Sequence, residues 1–201
     1  NPDITDSKLL SHKQRESLIP LIKDNALAWG LGSAEPSEID RINILQASLL
    51  AMARALQSLE LDPDYLLIDG IHKIPVSYLD PAQVAGEASA VQTISPPGRV
   101  TELSGGLPCQ KTVKQGDRLS VSIAAASILA KVTRDQMMNE YDSLYPEYGF
   151  AGHKGYGSVL HLRAIEQHGP SPIHRRTFRP VRDLLAAHEV DGQPSLGRFR
   201  G

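Results

Sequence analysis

The sequence predicts one α/β domain, and three observations predict it. Apolar residues alternate along the chain between helical spacing and short continuous runs. One such run, Tyr65-Leu66-Leu67-Ile68, has the pattern of a strand buried on both faces and ends abruptly in Asp69-Gly70. The strongest helical patterns, Ile44 to Leu59 and Ser120 to Tyr141, lie on either side of it. No internal repeat competes with this reading. With 201 residues, 41% of them hydrophobic, the chain can bury one sizeable core.

Taken in order, Ser11-His12-Lys13-Gln14 reads as a capping box that starts the first helix. Leu18, Ile19, Leu21 and Ile22 form its apolar side, and Pro20 is expected to kink or shorten it. Ala26 to Ala34 alternates Leu27, Trp29 and Leu31 with small residues and predicts a strand. Pro36 to Asp40 reads as a short helical turn. In the helix that follows, Leu45, Leu49, Met52, Leu56 and Leu59 recur at helical spacing. Residues Ile74 to Pro108, rich in Pro, Ser, Gly and Ala, read as an insertion or long loop. Thr112 and Val113 suggest a short strand before the long helix, which stops ahead of Pro146. A glycine-bearing loop from Gly149 to Gly157 leads to a helix from Ser158 to His168, closed by Gly169-Pro170. A basic stretch, Ile173 to Arg182, precedes a last short helix, and the composition after Val190 is that of a disordered tail.

Composition excludes some function classes. No apolar run is long enough to span a membrane, and no signal-peptide pattern opens the chain. Cys109 is the sole cysteine, so no internal disulfide forms and a reducing cytoplasm fits best. No partner histidine in its surroundings supports Cys109 as a nucleophile. His153, His161, His168 and His174 lack the tight spacing of a zinc site. The net charge of −2 hides an asymmetry: Gln110 to Arg182 holds 11 Lys/Arg against 6 Asp/Glu. Such a basic second half suits a phosphate backbone, although ordinary solvated charge explains it as well.

Two aspartates are the candidates for chemistry. Asp69 ends a strand, where ligands of open α/β sheets gather, although Asp-Gly is also a common turn pair. Asp117 precedes the long helix, where a capping or dipole role is the plainer reading. Together the two carboxylates could converge on a hard divalent cation. Ser120, Ser127, Lys131 and Arg134 fall on one stripe of the long helix, with Ala124 leaving room between them. That stripe is either a solvent face or a row of phosphate contacts. Tyr156, in the glycine loop, is either a packed ring or a stacking platform for a sugar or base.

In order, these segments resemble the ribonuclease HII (type 2 ribonuclease H) family over nearly the whole chain before the tail. The resemblance is carried by Asp6-Ser7-Lys8-Leu9-Leu10, Ile39-Asp40, Asn43 to Ala47, Leu67-Ile68-Asp69-Gly70 and Gly116-Asp117. It continues through Ser122 to Asp135, Tyr148-Gly149-Phe150, His153-Lys154-Gly155-Tyr156 and Ile173 to Phe178. It implies a ribonuclease H-like mixed sheet flanked by helices, over residues 1–188. It also implies an endonuclease that cuts the RNA strand of RNA/DNA hybrids and single ribonucleotides embedded in duplex DNA. Cleavage would fall 5′ of the ribonucleotide, a chemistry of ribonucleotide excision repair and DNA replication. Two of the family's four metal carboxylates map onto Asp69 and Asp117. Two Mg²⁺ or Mn²⁺ ions roughly 4 Å apart would then drive in-line phosphodiester hydrolysis. By the same resemblance Ser127 and Lys131 lie near substrate phosphates, Tyr156 stacks at the RNA–DNA junction, and Asp6, Ser7 and Lys8 help hold a strand.

The sequence departs from the family pattern in two places. The first-strand segment Asp-Glu-x-Gly-Arg-Gly, with two carboxylates, is not found, nor is the strand after it. The expectation is therefore a domain lacking its N-terminal strands, unstable and inactive alone. The stretch 74–108 also replaces a usually shorter connection. In the tail, residues 189–201, Gln193 to Phe199 loosely resembles a sliding-clamp-binding peptide. A monomer without a membrane partner is expected. The rivals are a non-catalytic nucleic-acid-binding relative and a ribonuclease H-like nuclease acting on other structures.

Overall fold

The capping box at Ser11 sets the first element of the computed structural model, which describes residues 4–79 and 108–190. Ser11 caps α1 (His12–Asn25): its hydroxyl accepts the Gln14 N–H, and Gln14 Oε1 accepts the Ser11 N–H at 2.9 Å. Pro20 does not kink or shorten α1 as expected. Its missing N–H frees the Glu16 carbonyl, and both residues are exposed, so water can take that bond.

The elements that follow are α2 (Pro36–Gln57), β1 (Tyr65–Asp69), α3 (Val76–Leu79), β2 (Cys109–Val113) and α4 (Gly116–Leu119). After them come α5 (Val121–Leu144), a 3₁₀ turn (Pro146–Tyr148), α6 (Phe150–His153), α7 (Val159–His168) and α8 (Arg179–Val190). Two helical stretches meet within α2 at Asn43, whose φ of 69° and ψ of 164° break the helix. They correspond to the expected turn after Pro36 and the expected helix after Ile44.

The chain divides into two compact units. One comprises Asn1–Ala34 and Leu45–Val132; the other, Glu35–Ile44 and Thr133–Gly201. In the first unit β1 and β2 run parallel, with Tyr65 opposite Cys109 and Asp69 opposite Val113. The expectation that β1 is buried on both faces is corrected: Ile68 is 5% exposed, whereas Tyr65 and Leu67 are open to solvent. Among the described residues β1 has one neighbouring strand, too little sheet to enclose both faces. One core of this unit gathers Leu18 and Ile22 of α1 with Ile128, Leu129 and Val132 of α5; a second gathers Ala53 and Leu56 with Ile68, Ile74 and Leu79. Ile74 to Leu79, the opening of the expected insertion, is thus packed here, and Gln110 fixes Ile74 by bonds to its N–H and carbonyl. Residues 80–107, the remainder of that insertion up to Pro108, lie outside the described residues, as do the expected tail after Val190 and the clamp-like segment Gln193 to Phe199.

Ala26 to Ala34 is not a strand. Trp29 and Leu31 pack on the α1–α5 core, and Gly30 and Gly32 lie directly against α2. A Cβ built on Gly32 would stand 2.2 Å from the Ala51 carbonyl oxygen and 2.4 Å from the Ala55 amide nitrogen. The alternation in this segment therefore serves a close backbone crossing rather than a sheet ladder. Gly32→Ala is expected to destabilise the protein by about 2 kcal/mol, because backbone on both sides must shift. Chemical denaturation checks it, and an unchanged midpoint would contradict the crossing.

The second unit is built on rings. Tyr148, Phe150, Ile165 and Val181 form its core, with Tyr141, Tyr145 and Phe178 against them. Asp40 ties the Ile173–Phe178 loop to α2: its carboxylate accepts the N–H groups of Arg176 (2.7 Å) and Thr177 (2.9 Å) and the Thr177 hydroxyl. Burial pushes the Asp40 carboxyl up, but these donors outweigh it and hold it below the usual range. No described helix is long and apolar enough to cross a membrane.

Candidate active site

Asp69 is the last residue of β1, and Asp117 lies in α4, just beyond the end of the parallel partner strand β2. Beyond β1 the chain turns through Gly70, whose φ of 109° suits glycine and whose N–H continues the ladder to the Val113 carbonyl at 3.0 Å. Beyond β2 the chain turns through Gln115, in the left-handed region at φ 53°, and enters α4. That turn aims the Gly116 N–H at Asp69 Oδ1, 2.9 Å away. Asp117, the next residue, is 7% exposed, and its carboxylate takes no hydrogen bond from any described residue. Asp69 thus stands at the C-terminal end of β1, and Asp117 on the turn of helix that follows β2. One is exposed and oriented by a backbone donor; the other is buried and not neutralised by one.

Buried carboxylates normally find donors or cations. A hard divalent ion that keeps waters and takes phosphate oxygens needs only one or two protein carboxylates, so this donor set fits it. Among the described residues no group of three or more His, Cys, Asp or Glu side chains is placed to hold a metal.

Asp6, Ser7 and Lys8 lie in the same unit as these aspartates. Asp6 is buried, with Oδ1 accepting the Lys8 N–H at 2.9 Å and Oδ2 accepting the Arg118 guanidinium at 3.2 Å. The Lys8 N–H lowers the Asp6 pKa most; burial opposes it, and Arg118 adds to the lowering. Ser7 Oγ lies 2.8 Å from Ser127 Oγ, and Arg15 Nη1 donates to the carbonyls of Ser7 and Leu10. The loop is thereby fastened to α4, next to Asp117, and to α5. Lys8 points into solvent and Lys131 is half-buried. Ala124 is 1% exposed and faces the core, so it does not leave the expected gap on the Ser120–Arg134 stripe.

Tyr156 belongs to the other unit, and its ring is 68% exposed. The packed-ring alternative is therefore excluded. The sequence alone does not single out Arg118 or Arg15, and it offers Gly116 only as a motif neighbour of Asp117. Arg118 meets Asp6 across 112 positions, a contact no local spacing encodes.

Gly116 matters sterically as well as through its N–H. A Cβ there would come within 2.5 Å of Ile123 Cδ1 and 3.3 Å of Asp69 Oδ1. Gly116→Ala is expected to lower activity at this site by about tenfold, through displacement of Asp69 rather than loss of a charge. A kinetic comparison with a stability measurement checks this; equal activity would contradict it.

Residues 1–181 match the family model for ribonuclease HII. The chain is 49% identical to the ribonuclease HII of Syntrophotalea carbinolica over 184 residues, 92% of this chain and 74% of that protein. It is 51% identical to that of Geobacter metallireducens over 185 residues, 92% of this chain and 73% of that protein. The crystal structure of the ribonuclease H2 from Pyrococcus horikoshii OT3 is similar in fold. The TM-score is 0.65 at 24% identity, over 92% of this chain and 82% of that one. The α/β architecture and the resemblance read from the ordered motifs agree with these matches, and the chain belongs to the ribonuclease HII family.

Proposed function

We propose that this endoribonuclease hydrolyses the RNA strand of RNA/DNA hybrids and cuts duplex DNA 5′ of a single embedded ribonucleotide. The products would be 3′-hydroxyl and 5′-phosphate ends, and the activity would serve removal of ribonucleotides from DNA. The observation that carries this reading is the Asp69–Gly116 bond, which sets Asp69 beside the buried, donor-free Asp117. Mg²⁺ or Mn²⁺ bound there would activate a water and stabilise the leaving 3′-oxygen. Asp69 and Asp117 would hold the ion, with the Gly116 N–H orienting the Asp69 carboxylate.

Ser7, Ser127, Lys8 and Lys131 would meet phosphates on one unit, with Asp6 keeping the Ser7–Lys8 loop in place. Tyr156 would stack at the RNA–DNA junction, and the ribose 2′-hydroxyl would supply discrimination. Because the chain alone is expected to be inactive, the test joins an upstream strand pair bearing Asp-Glu-x-Gly-Arg-Gly to it. It then measures cleavage of an end-labelled DNA duplex containing one ribonucleotide, beside an all-DNA duplex and a hybrid. Expected are a single cut 5′ of the ribonucleotide, no cut in all-DNA duplex, and loss of activity with chelator. Tight binding without cleavage in either metal would favour a non-catalytic nucleic-acid-binding relative instead.

A further inference from the structure

Three histidines that no zinc spacing explains converge around the backbone that carries Tyr156. His161 and His174 are 2% and 9% exposed, and their Nε2 atoms lie 2.9 Å apart. His153 stacks on His161 with ring centroids 4.2 Å apart. Tyr148 and Phe150 enclose His174, with centroids at 4.9 and 5.5 Å.

The hydrogen-bond partners fix where every proton sits. The Ser171 N–H points at His174 Nδ1 from 3.0 Å, so that nitrogen is an acceptor and the His174 proton is on Nε2. His174 Nε2–H then donates to His161 Nε2, which leaves the His161 proton on Nδ1. There it donates to the Tyr156 carbonyl at 2.9 Å. His153 is ordered in the same way: its Nδ1 accepts the Gly155 N–H, so its Nε2–H donates to the Tyr148 carbonyl at 2.8 Å. The Tyr156 N–H in turn donates to the His153 carbonyl at 2.9 Å.

The Tyr156 ring is 68% exposed and makes no hydrogen bond or aromatic-ring contact with a described residue, so where it can reach depends on how its backbone is held. We propose that His161, backed by His174, is a positioning residue. As a neutral, proton-ordered pair the two fix the Tyr156 carbonyl and so aim the exposed ring at substrate. This rests on the reading of Tyr156 as the stacking residue.

An added proton breaks the order. It would set two N–H donors face to face between His161 and His174, or turn His174 Nδ1 away from the Ser171 N–H and toward the Ser171 hydroxyl at 2.7 Å. Burial opposes that proton, lowering His161 and bringing His174 to about 4. The titratable groups packed around the pair are His153 and Tyr148, and neither offers a negative charge to compensate. Burial pushes the Tyr148 hydroxyl up to about 12.

The test uses two replacements that each keep half of the histidine. His161→Asn keeps a donor near the Nδ1 position, whereas His161→Gln reaches toward His174 and abandons Tyr156. Single-ribonucleotide cleavage should fall about tenfold in His161→Gln and recover largely in His161→Asn. In a Tyr156→Ala background His161→Gln should cost nothing more. Equal losses in both variants, no loss in His161→Gln, or a loss that persists without the Tyr156 ring would each overturn the proposal. Full cleavage by Tyr156→Ala alone would overturn the stacking reading, and the positioning role with it. Independently of any variant, nitrogen NMR at neutral pH should find His161 as the Nδ1–H tautomer and His174 as Nε2–H. The opposite tautomers, or a charged pair, would also overturn the proposal.

Discussion

Asp69→Asn is expected to cut ribonucleotide-dependent cleavage by at least ~10³-fold without lowering thermal stability. The amide keeps the shape of the carboxylate, and its oxygen can still accept the Gly116 N–H now 2.9 Å from Asp69 Oδ1. What it loses is charge, and a hard divalent ion discriminates strongly between a carboxylate and an amide when it has few protein ligands. Asp117→Asn should lose activity to a similar extent, since its amide likewise keeps the shape and loses the charge. The pair is therefore diagnostic: two losses of activity with the fold retained. Cleavage kinetics and thermal denaturation on both variants check this. Asp69→Asn that keeps more than a tenth of the parent rate would refute the metal-binding reading of that residue.

Features fixed by neighbours in sequence were legible. The Ser11 capping box, the start of α7 at Ser158 and the ends of α5 follow from local chemistry, and each is found within a few residues of its expected place. Asp69 at the end of β1 and Asp117 ahead of the long helix are legible for the same reason. Ala26–Ala34 was misread because alternation with small residues fits both a ladder and a crossing, and only the proximity of α2 distinguishes them. The burial of β1 was misread because a continuous apolar run says nothing of how many strands flank it. In the site, Arg118 on Asp6 and Ser127 on Ser7 join residues more than a hundred positions apart. The histidines illustrate the limit best. Their spacing argues against a zinc site, yet the 13 positions between His161 and His174 give no hint of a direct bond.

That bond makes a second large effect, the dependence of stability on pH. In the unfolded chain His174 titrates near 6.5, while in the fold burial holds it neutral down to about 4. Above 6.5 both states are neutral there, and the full stability is present. Between 6.5 and 4 the unfolded state binds a proton that the fold refuses, so stability falls as pH falls. Below about 4 both states are protonated and this loss levels off. A difference of this size corresponds to about 3 kcal/mol. His161, also lowered chiefly by burial, acts with the same sign. Asp6 and Asp40, held below the usual carboxylate range, lose their contributions only at more acidic pH, which leaves the histidine window clear. His174→Phe should retain the packing against Tyr148 and Phe150 and lower stability at neutral pH, since the Ser171 N–H loses its acceptor. It should also flatten most of the slope between pH 6.5 and 4.5. Denaturant titrations across that range measure both effects, and a parent protein of constant stability through the window would contradict the neutral, buried pair.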